Sequence, residues 1–280
     1  MRTITFHKYH ALENDFAVVE AVRRGTKAAN ATMARSVCNR RRGIGADGVV
    51  LLSKSSKADR RIDIYNADGS WAEKSGNGLR IAAVHLWSQA TGRRDFTFET
   101  ATSIDRVTLG KRTREGLVAT AELGCPEFAA ERVPVRSRTP YVINAPLKIG
   151  PQALPMTCLS VGNPHAVLVV KDFEFDWMTL GSEIEHSALF PNGTNVEFVR
   201  PVSRRRIEVA EWERGAGATG SSGTGAAAAV CAMVMLGLAE RECEVVFRPG
   251  SLWVRWRTED DVVELTGPVQ FIGSGSCAVR

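Results

Sequence analysis

The chain has 280 residues, a length that at about 150 residues per domain suits two domains or one large one. Its composition, 44% hydrophobic and 24% charged, is that of an ordinary globular protein and excludes intrinsic disorder, a collagen-like repeat and a long coiled coil. The 36 Lys+Arg against 31 Asp+Glu leave a net charge of +5, carried in short clusters such as Arg40 to Arg42 and Arg204 to Arg206 that solvated faces produce routinely, so no nucleic-acid partner is expected.

No run approaches the ~18 to 20 uninterrupted apolar residues of a membrane-spanning helix, and the opening MRTITFHKYHALEND carries no apolar secretory core. A cytoplasmic chain without a membrane partner is therefore expected. Taken in chain order, runs rich in Val, Ile, Thr and Phe predict strands at ITFHKY, FAVVEAV, GVVLLS, RIDIYN and FTFET. They recur at HAVLVV, NVEFV, RIEVAEW, CEVVF, LWVRW and DVVELTG. Helices are expected near Ala28 to Arg40, Leu79 to Gln89, Trp177 to His186 and Ala226 to Leu238. The six cysteines (Cys38, Cys125, Cys158, Cys231, Cys243, Cys277) form no C-x-x-C pair and have no His at metal-ligand spacing. They predict neither a metal site nor a disulfide framework, and read as small buried hydrophobes.

Two of the helices open alike. Ser75-Gly76-Asn77-Gly78 precedes LRIAAVHLW, and Ser222-Gly223-Thr224-Gly225 precedes AAAAVCAMVMLG, 147 residues later. A second echo, from Asn14-Asp15-Phe16 to Asn163-Pro164-His165, has an offset of 149. Two echoes at nearly the same offset suggest an internal duplication, with two similar α+β halves and no solenoid. The proline-interrupted stretch from Arg114 to Gly150 is where the boundary is expected, giving halves of 1–125 and 126–280, with the first half open to receiving its last strand or strands from the chain's C-terminus. Helices apolar on several faces are expected to be central and wrapped by strands.

A helix N-terminus presents unpaired N–H groups and roughly half a positive charge, and glycine lets a ligand approach that backbone. Two such turns converging in an interdomain cleft would cradle a carboxylate and the negative charge developing beside it. The plainer alternative is a pair of strand-to-helix turns with Ser as N-cap.

Seven blocks carry a family resemblance: KYHALENDF, RRGIGADG, YNADGSWAEKSGNGLR, VGNPHAV, GTNVEFV, WERGAGATGSSGTGAAAA and ELTGPV. In that order and over nearly the whole length, they resemble the diaminopimelate epimerase family, cofactor-independent isomerases of lysine and cell-wall precursor biosynthesis. The resemblance implies two pseudo-symmetric domains, each a strand-rich cone wrapped on a central helix, with the site between them. It implies interconversion of LL- and meso-diaminopimelate by two-base proton transfer at the α-carbon, with no pyridoxal phosphate, metal or nucleotide. A homodimer is a further expectation, since family members are often dimers.

The family places a cysteine before Gly-Asn-Gly and another before Gly-Ser-Gly, as acid and base on the two faces of the α-carbon. Here Ser75 and Ser222 stand there. A thiol starts near pKa ~8.5 and is lowered further at a helix N-terminus, whereas an aliphatic hydroxyl is far more basic. The serines cannot repeat the thiol mechanism at a comparable rate. Other departures are Ala218, where a Glu is usual, the short Gly220-Ser221 loop, and Gly48, where some members carry a larger polar side chain. His165, placed at the cleft by the resemblance, is the candidate base to assist a serine; a structural histidine is the alternative. Asp68 and Glu73 read as turn and loop acids, with Asp68 in an Asn-Ala-Asp-Gly turn.

The positions matching the family's substrate contacts are present: Asn14, Asn66, Asn163, Asn195, Glu213 and Arg214 for the far amino-acid end, and the N–H groups of Gly76, Asn77, Gly223 and Thr224 for the reacting carboxylate. A turn-stabilising role is the alternative for each Asn. Two other functions stay open: an isomerase or lyase on another small amino or hydroxy acid, with His165 or a carboxylate as single base, and an amino-acid-binding protein without turnover.

Overall fold

The computed structural model describes residues 2–21, 25–89, 92–149 and 152–279. Val22, at the end of the FAVVEAV run, and Gly150, at the end of the expected boundary stretch, lie outside the described residues. The chain forms two compact units, one of Met1–Glu122 with Thr266–Arg280 and one of Leu123–Leu265.

Unit 1 is a closed ring of strands. β1 (Arg2–Ala11) pairs antiparallel with β2 (Asn14–Glu20), which runs parallel to β3 (Gly48–Ser53). β3 pairs antiparallel with β4 (Arg60–Asn66), which also holds the two-residue β5 (Trp71–Ala72), and β4 runs parallel to β6 (Asp95–Glu99). β7 (Ile104–Thr113) and β8 (Gly116–Glu122) follow as antiparallel neighbours. The long β17 (Val263–Val279) then pairs with both β8 and, from Gln270 onward, β1, and closes the eight-stranded barrel. Closure leaves no sheet edge in this ring.

Inside it lies α2 (Gly76–Ser88), buried on every side from Gly76 to Leu86 and packed against β1, β2, β7 and β8. α1 (Lys27–Cys38) lies outside against β3 and β4, where Ala34 and Val37 join Val49, Leu51 and Tyr65 in a second apolar cluster.

In unit 2, β9 (Ala145–Ile149), β10 (Gln152–Ser160) and β11 (Pro164–Val169) are antiparallel neighbours. β11 then runs parallel to β12 (Asn195–Ser203), and β12 antiparallel to β13 (Arg206–Glu213). β13 carries the two-residue β14 (Gly217–Ala218) and runs parallel to β15 (Glu242–Phe247), which pairs antiparallel with β16 (Gly250–Trp256). α4 (Gly223–Met235) packs against β10 to β13, β15 and β16, and α3 (Trp177–Glu185) against β12 and β13. From Ala226 to Met233 every residue of α4 is fully buried, the expected fate of a helix apolar all round.

Three differences from the sequence expectations have physical causes. α2 and α4 begin three residues earlier than the apolar runs suggest, because Ser75 and Ser222 cap them and the glycines form their first turns. The hairpin of β7 and β8 is not singled out by its sequence; its outward positions carry Arg106, Lys111 and Arg112, which dilute the apolar pattern although the inward residues alternate. Not all cysteines are buried: Cys125 is exposed and Cys277 half-buried, while Cys38, Cys158, Cys231 and Cys243 lie inside. Among the described residues no helix is long and apolar enough to cross a membrane.

Candidate functional site

Each unit carries a serine cap at the N-terminus of its buried helix. In unit 1, Ser75 has extended backbone angles (φ −143°, ψ 118°), and its Oγ accepts from the Gly78 N–H at 3.1 Å. The oxygen thus sits on the positive end of the α2 dipole, where negative charge is favoured. Lys74, the residue before it, is buried in an ion pair with Asp105 at 2.7 Å.

Asn77 and Asn14, predicted as contacts, are bonded to each other: Asn77 Nδ2 donates to Asn14 Oδ1 at 2.9 Å. Asn14 Nδ2 donates in turn to Asp47 Oδ2 at 3.1 Å, and Arg80, fully buried one turn into α2, donates to Asn77 Oδ1. Burial draws the Arg80 guanidinium pKa down and raises that of the Asp47 carboxyl. Asp15 and Asp47 are gathered by cations, Lys8 with Asp15 at 2.7 Å and Arg40 with Asp47 at 2.7 Å. Burial pushes the Asp15 carboxyl up, but Lys8 and Arg40 outweigh it and hold its pKa low.

Asn66 ends β4, and its Nδ2 donates to Ser70 Oγ at 3.0 Å across a turn in which Asp68 accepts from the Ser70 N–H at 2.7 Å. Gly48 faces Asn66 across β3 and β4; a Cβ there would stand 2.6 Å from Phe16 Cε1, so close packing requires glycine.

In unit 2, Ser222 repeats the cap (φ −121°, ψ 134°), with Oγ accepting from the Gly225 N–H at 3.2 Å. A polar chain runs from it. Ser222 Oγ lies 3.4 Å from Thr224 Oγ1, which accepts from Asn163 Nδ2 at 3.3 Å. Asn163 Oδ1 meets His165 Nε2 at 3.0 Å, and His165 Nδ1 meets Glu197 Oε1 at 2.6 Å.

His165, expected at a substrate-facing surface, has a side chain with no exposed area, and both ring nitrogens are engaged. Asn195 shapes the neighbouring turn: its Nδ2 donates to the Pro164 carbonyl at 2.8 Å and its Oδ1 accepts from the Arg214 N–H at 3.0 Å. Glu185 braces the same turn by accepting from Trp212 Nε1 at 2.6 Å and from the Gly215 N–H at 2.9 Å. Glu213 accepts from Thr219 Oγ1, which is also 3.0 Å from Glu211 Oε1.

Glu197 and Glu211 were not among the residues suggested by sequence. A glutamate inside the apolar run NVEFV, and another two residues before Glu213, were the available signals. Both are buried to within 2% and face each other across β12 and β13. Burial pushes both carboxyl pKa values up, His165 opposing this at Glu197, while Glu213 and Glu197 reinforce it at Glu211. Among the described residues no group of three or more His, Cys, Asp or Glu is placed to hold a metal ion.

In each unit the helix N-terminus can receive an anionic group, and the amides beside it are held in hydrogen-bond networks. Comparison with known proteins gives that arrangement a lineage. A family model for diaminopimelate epimerase matches residues 6–123 and 157–272. A diaminopimelate epimerase from Magnetococcus marinus is 39% identical over 272 residues, covering 96% of this chain and 95% of that protein. One from Caldanaerobacter subterraneus is 37% identical over 276 residues, covering 98% and 99%. Among solved structures, a hydroxyproline epimerase from Agrobacterium vitis has a TM-score of 0.73 at 16% identity, covering 99% of this chain and 91% of its own. A PhzF-family protein from Bacillus anthracis has a TM-score of 0.69 at 14% identity, covering 100% of both. Those two show a shared fold, while the sequence matches over nearly the whole length carry the assignment: the chain belongs to the diaminopimelate epimerase family.

Proposed function

We propose that the protein is a cofactor-independent isomerase of diaminopimelate, working with serine where its family uses thiols. The observation that carries this reading is the pair of caps: two buried helices each begin with a serine whose Oγ accepts from the N–H three residues on, at 3.1 and 3.2 Å. In this reading the caps of α2 and α4 serve the two faces of one α-carbon, and the order of strand pairings common to the two units supports a pseudo-symmetric duplication.

Ser75 and Ser222 stand where the proton must be taken and returned. The N–H groups of Gly76, Asn77, Gly223 and Thr224 would hold the reacting carboxylate, so that negative charge developing at the carbanion is met by two helix dipoles. Asn14, Asn66, Asn163, Asn195, Glu213 and Arg214 would hold the distant amino-acid end, with Arg214 as carboxylate partner. A serine hydroxyl at a helix N-terminus is easier to ionise than a free one, yet still far from the neutral range that efficient general-base catalysis needs. Turnover is therefore slow, while recognition is intact. His165 acts here as the support that orients Asn163 and Thr224 beneath Ser222.

The test is α-proton exchange in D₂O with LL- and meso-diaminopimelate supplied separately, with binding followed by calorimetry. Binding of both isomers with slow deuterium entry into both is the expected result. Deuterium entry into one isomer alone would replace the two-base reading with a single-base isomerase or lyase, and binding without any exchange would leave an amino-acid-binding protein.

A further inference from the structure

Beneath the first turn of α4, two carboxyl groups are buried against each other. Glu197 and Glu211 lie directly opposite on β12 and β13, and each has an Oε2 atom that is buried without a hydrogen-bond partner. Their crowding can be read from Gly225: a Cβ built there would be 2.5 Å from Glu211 Oε2 and 3.0 Å from Glu197 Oε1. Two charges so close and so dry repel each other strongly, and an unpaired buried acceptor is costly even when neutral.

The groups that face the pair are His165 from β11, Glu213 from its own β13, the Cys158 thiol from β10 and the N–H groups that open α4. His165 is the basic side chain in that set. Its Nδ1 faces Glu197 Oε1 and its Nε2 faces Asn163 Oδ1, both acceptors when Glu197 is ionised, so both ring nitrogens must then donate. An imidazolium balances one carboxylate and leaves none for a second.

We infer that Glu197 and Glu211 hold one proton between them, so that the pair carries a single negative charge as counter-ion to His165 and fixes the Asn163 amide with its Nδ2 toward Thr224. The proton sits on Glu211 in the dominant arrangement, because Glu197 has the imidazole at 2.6 Å while Glu211 has the Glu213 carboxylate as its neighbour across Thr219. Glu211 is thus a positioning residue. It acts through Glu197, His165 and Asn163 on Thr224, which shares the first turn with Ser222. The effect on substrate rests on the epimerase reading; the proton itself does not.

The sign of the pH dependence follows. An ordinary glutamate in the unfolded chain is ionised at neutral pH, so the native protein binds the extra proton and its stability falls as pH rises from the normal carboxyl range toward 8. Infrared difference spectra at neutral pH between the intact protein and Glu211→Gln test this without turnover. The expected result is the carbonyl stretch of an un-ionised carboxyl in the intact protein, lost in the variant, together with uptake on refolding of about one proton more by the intact protein than by the variant. Glu197→Gln, which removes the counter-ion, weakens diaminopimelate binding by about tenfold, the scale of one mis-set hydrogen bond. An un-ionised carboxyl signal absent from the intact protein, or equally strong in Glu211→Gln, overturns the inference; so does proton uptake on refolding that is equal in the two proteins. Failure of diaminopimelate to bind at all, with the infrared signal present, would instead count against the epimerase reading.

Discussion

Ser75 and Ser222 cap the two buried helices, and the proposed function gives them a second role that can be separated from the first. As caps, each satisfies one N–H of a helix start, so Ser75→Ala and Ser222→Ala should each lower stability by about 0.5–2 kcal/mol in urea titrations, with Ser→Asp or Ser→Asn recovering most of it. As the reacting groups of the proposed function they would be limited by the basicity of an alkoxide, which a cap cannot cure. The remaining thiols offer no replacement. Burial pushes Cys38 and Cys158 up to about 12 and Cys243 to about 11, so iodoacetamide on the folded protein should label Cys125 and Cys277 and leave the buried four intact until unfolding. Mass spectrometry of the labelled peptides decides this. At this scale the sequence shows residue types in family order, which is why the two serines stand out. It does not show that Asn14 and Asn77 bond to each other or that Glu197 seals Nδ1 of His165, because these pairings join residues 63 and 32 apart in the chain.

The helices show why Ser-Gly-x-Gly is written twice. The second glycine of each motif is required by packing: a Cβ on Gly78 would lie 2.7 Å from Ile64 Cδ1, and one on Gly225 would meet Glu211 at 2.5 Å. Alanine in a helix ordinarily gains up to about 1 kcal/mol over glycine, but overpacking of a tight interior costs about 1–3 kcal/mol. Gly78→Ala and Gly225→Ala should therefore destabilise, with Gly225→Ala the worse because its clash is with a buried carboxyl; thermal unfolding of the two variants checks the order. The helix interiors were legible from their apolar runs, AAAAVCAMVM above all. Their starts were displaced by the capping turns, and the buried Arg80 in α2 is tolerated because the Asn77 amide and the Gly76 and Pro268 carbonyls receive its donors.

On the scale of the whole chain, the barrel of unit 1 is completed by residues that follow unit 2 in sequence. β17 pairs with β1 from Arg2↔Val279 to His10↔Gln270, and Thr120 and Thr266 hydroxyls meet at 2.8 Å beside its pairing with β8. Truncation after Leu265 should strip hydrogen-exchange protection from β1 and β8 while β11 to β13 keep theirs. Sequence announced the closing segment only as far as DVVELTG; the GSGSC stretch beyond it is rich in small polar residues, and becomes strand because β1 supplies a partner along its length.

The claim that binds these scales together is that an intact epimerase scaffold lacks only its thiols. It is tested most directly by α-proton exchange of both diaminopimelate isomers in D₂O, comparing the protein with the Ser75→Cys/Ser222→Cys double variant. The double variant is expected to exchange both isomers faster by about 100-fold or more, the usual range for a well-matched general base. Equal rates in the two proteins, with ligand still bound by both, would contradict it.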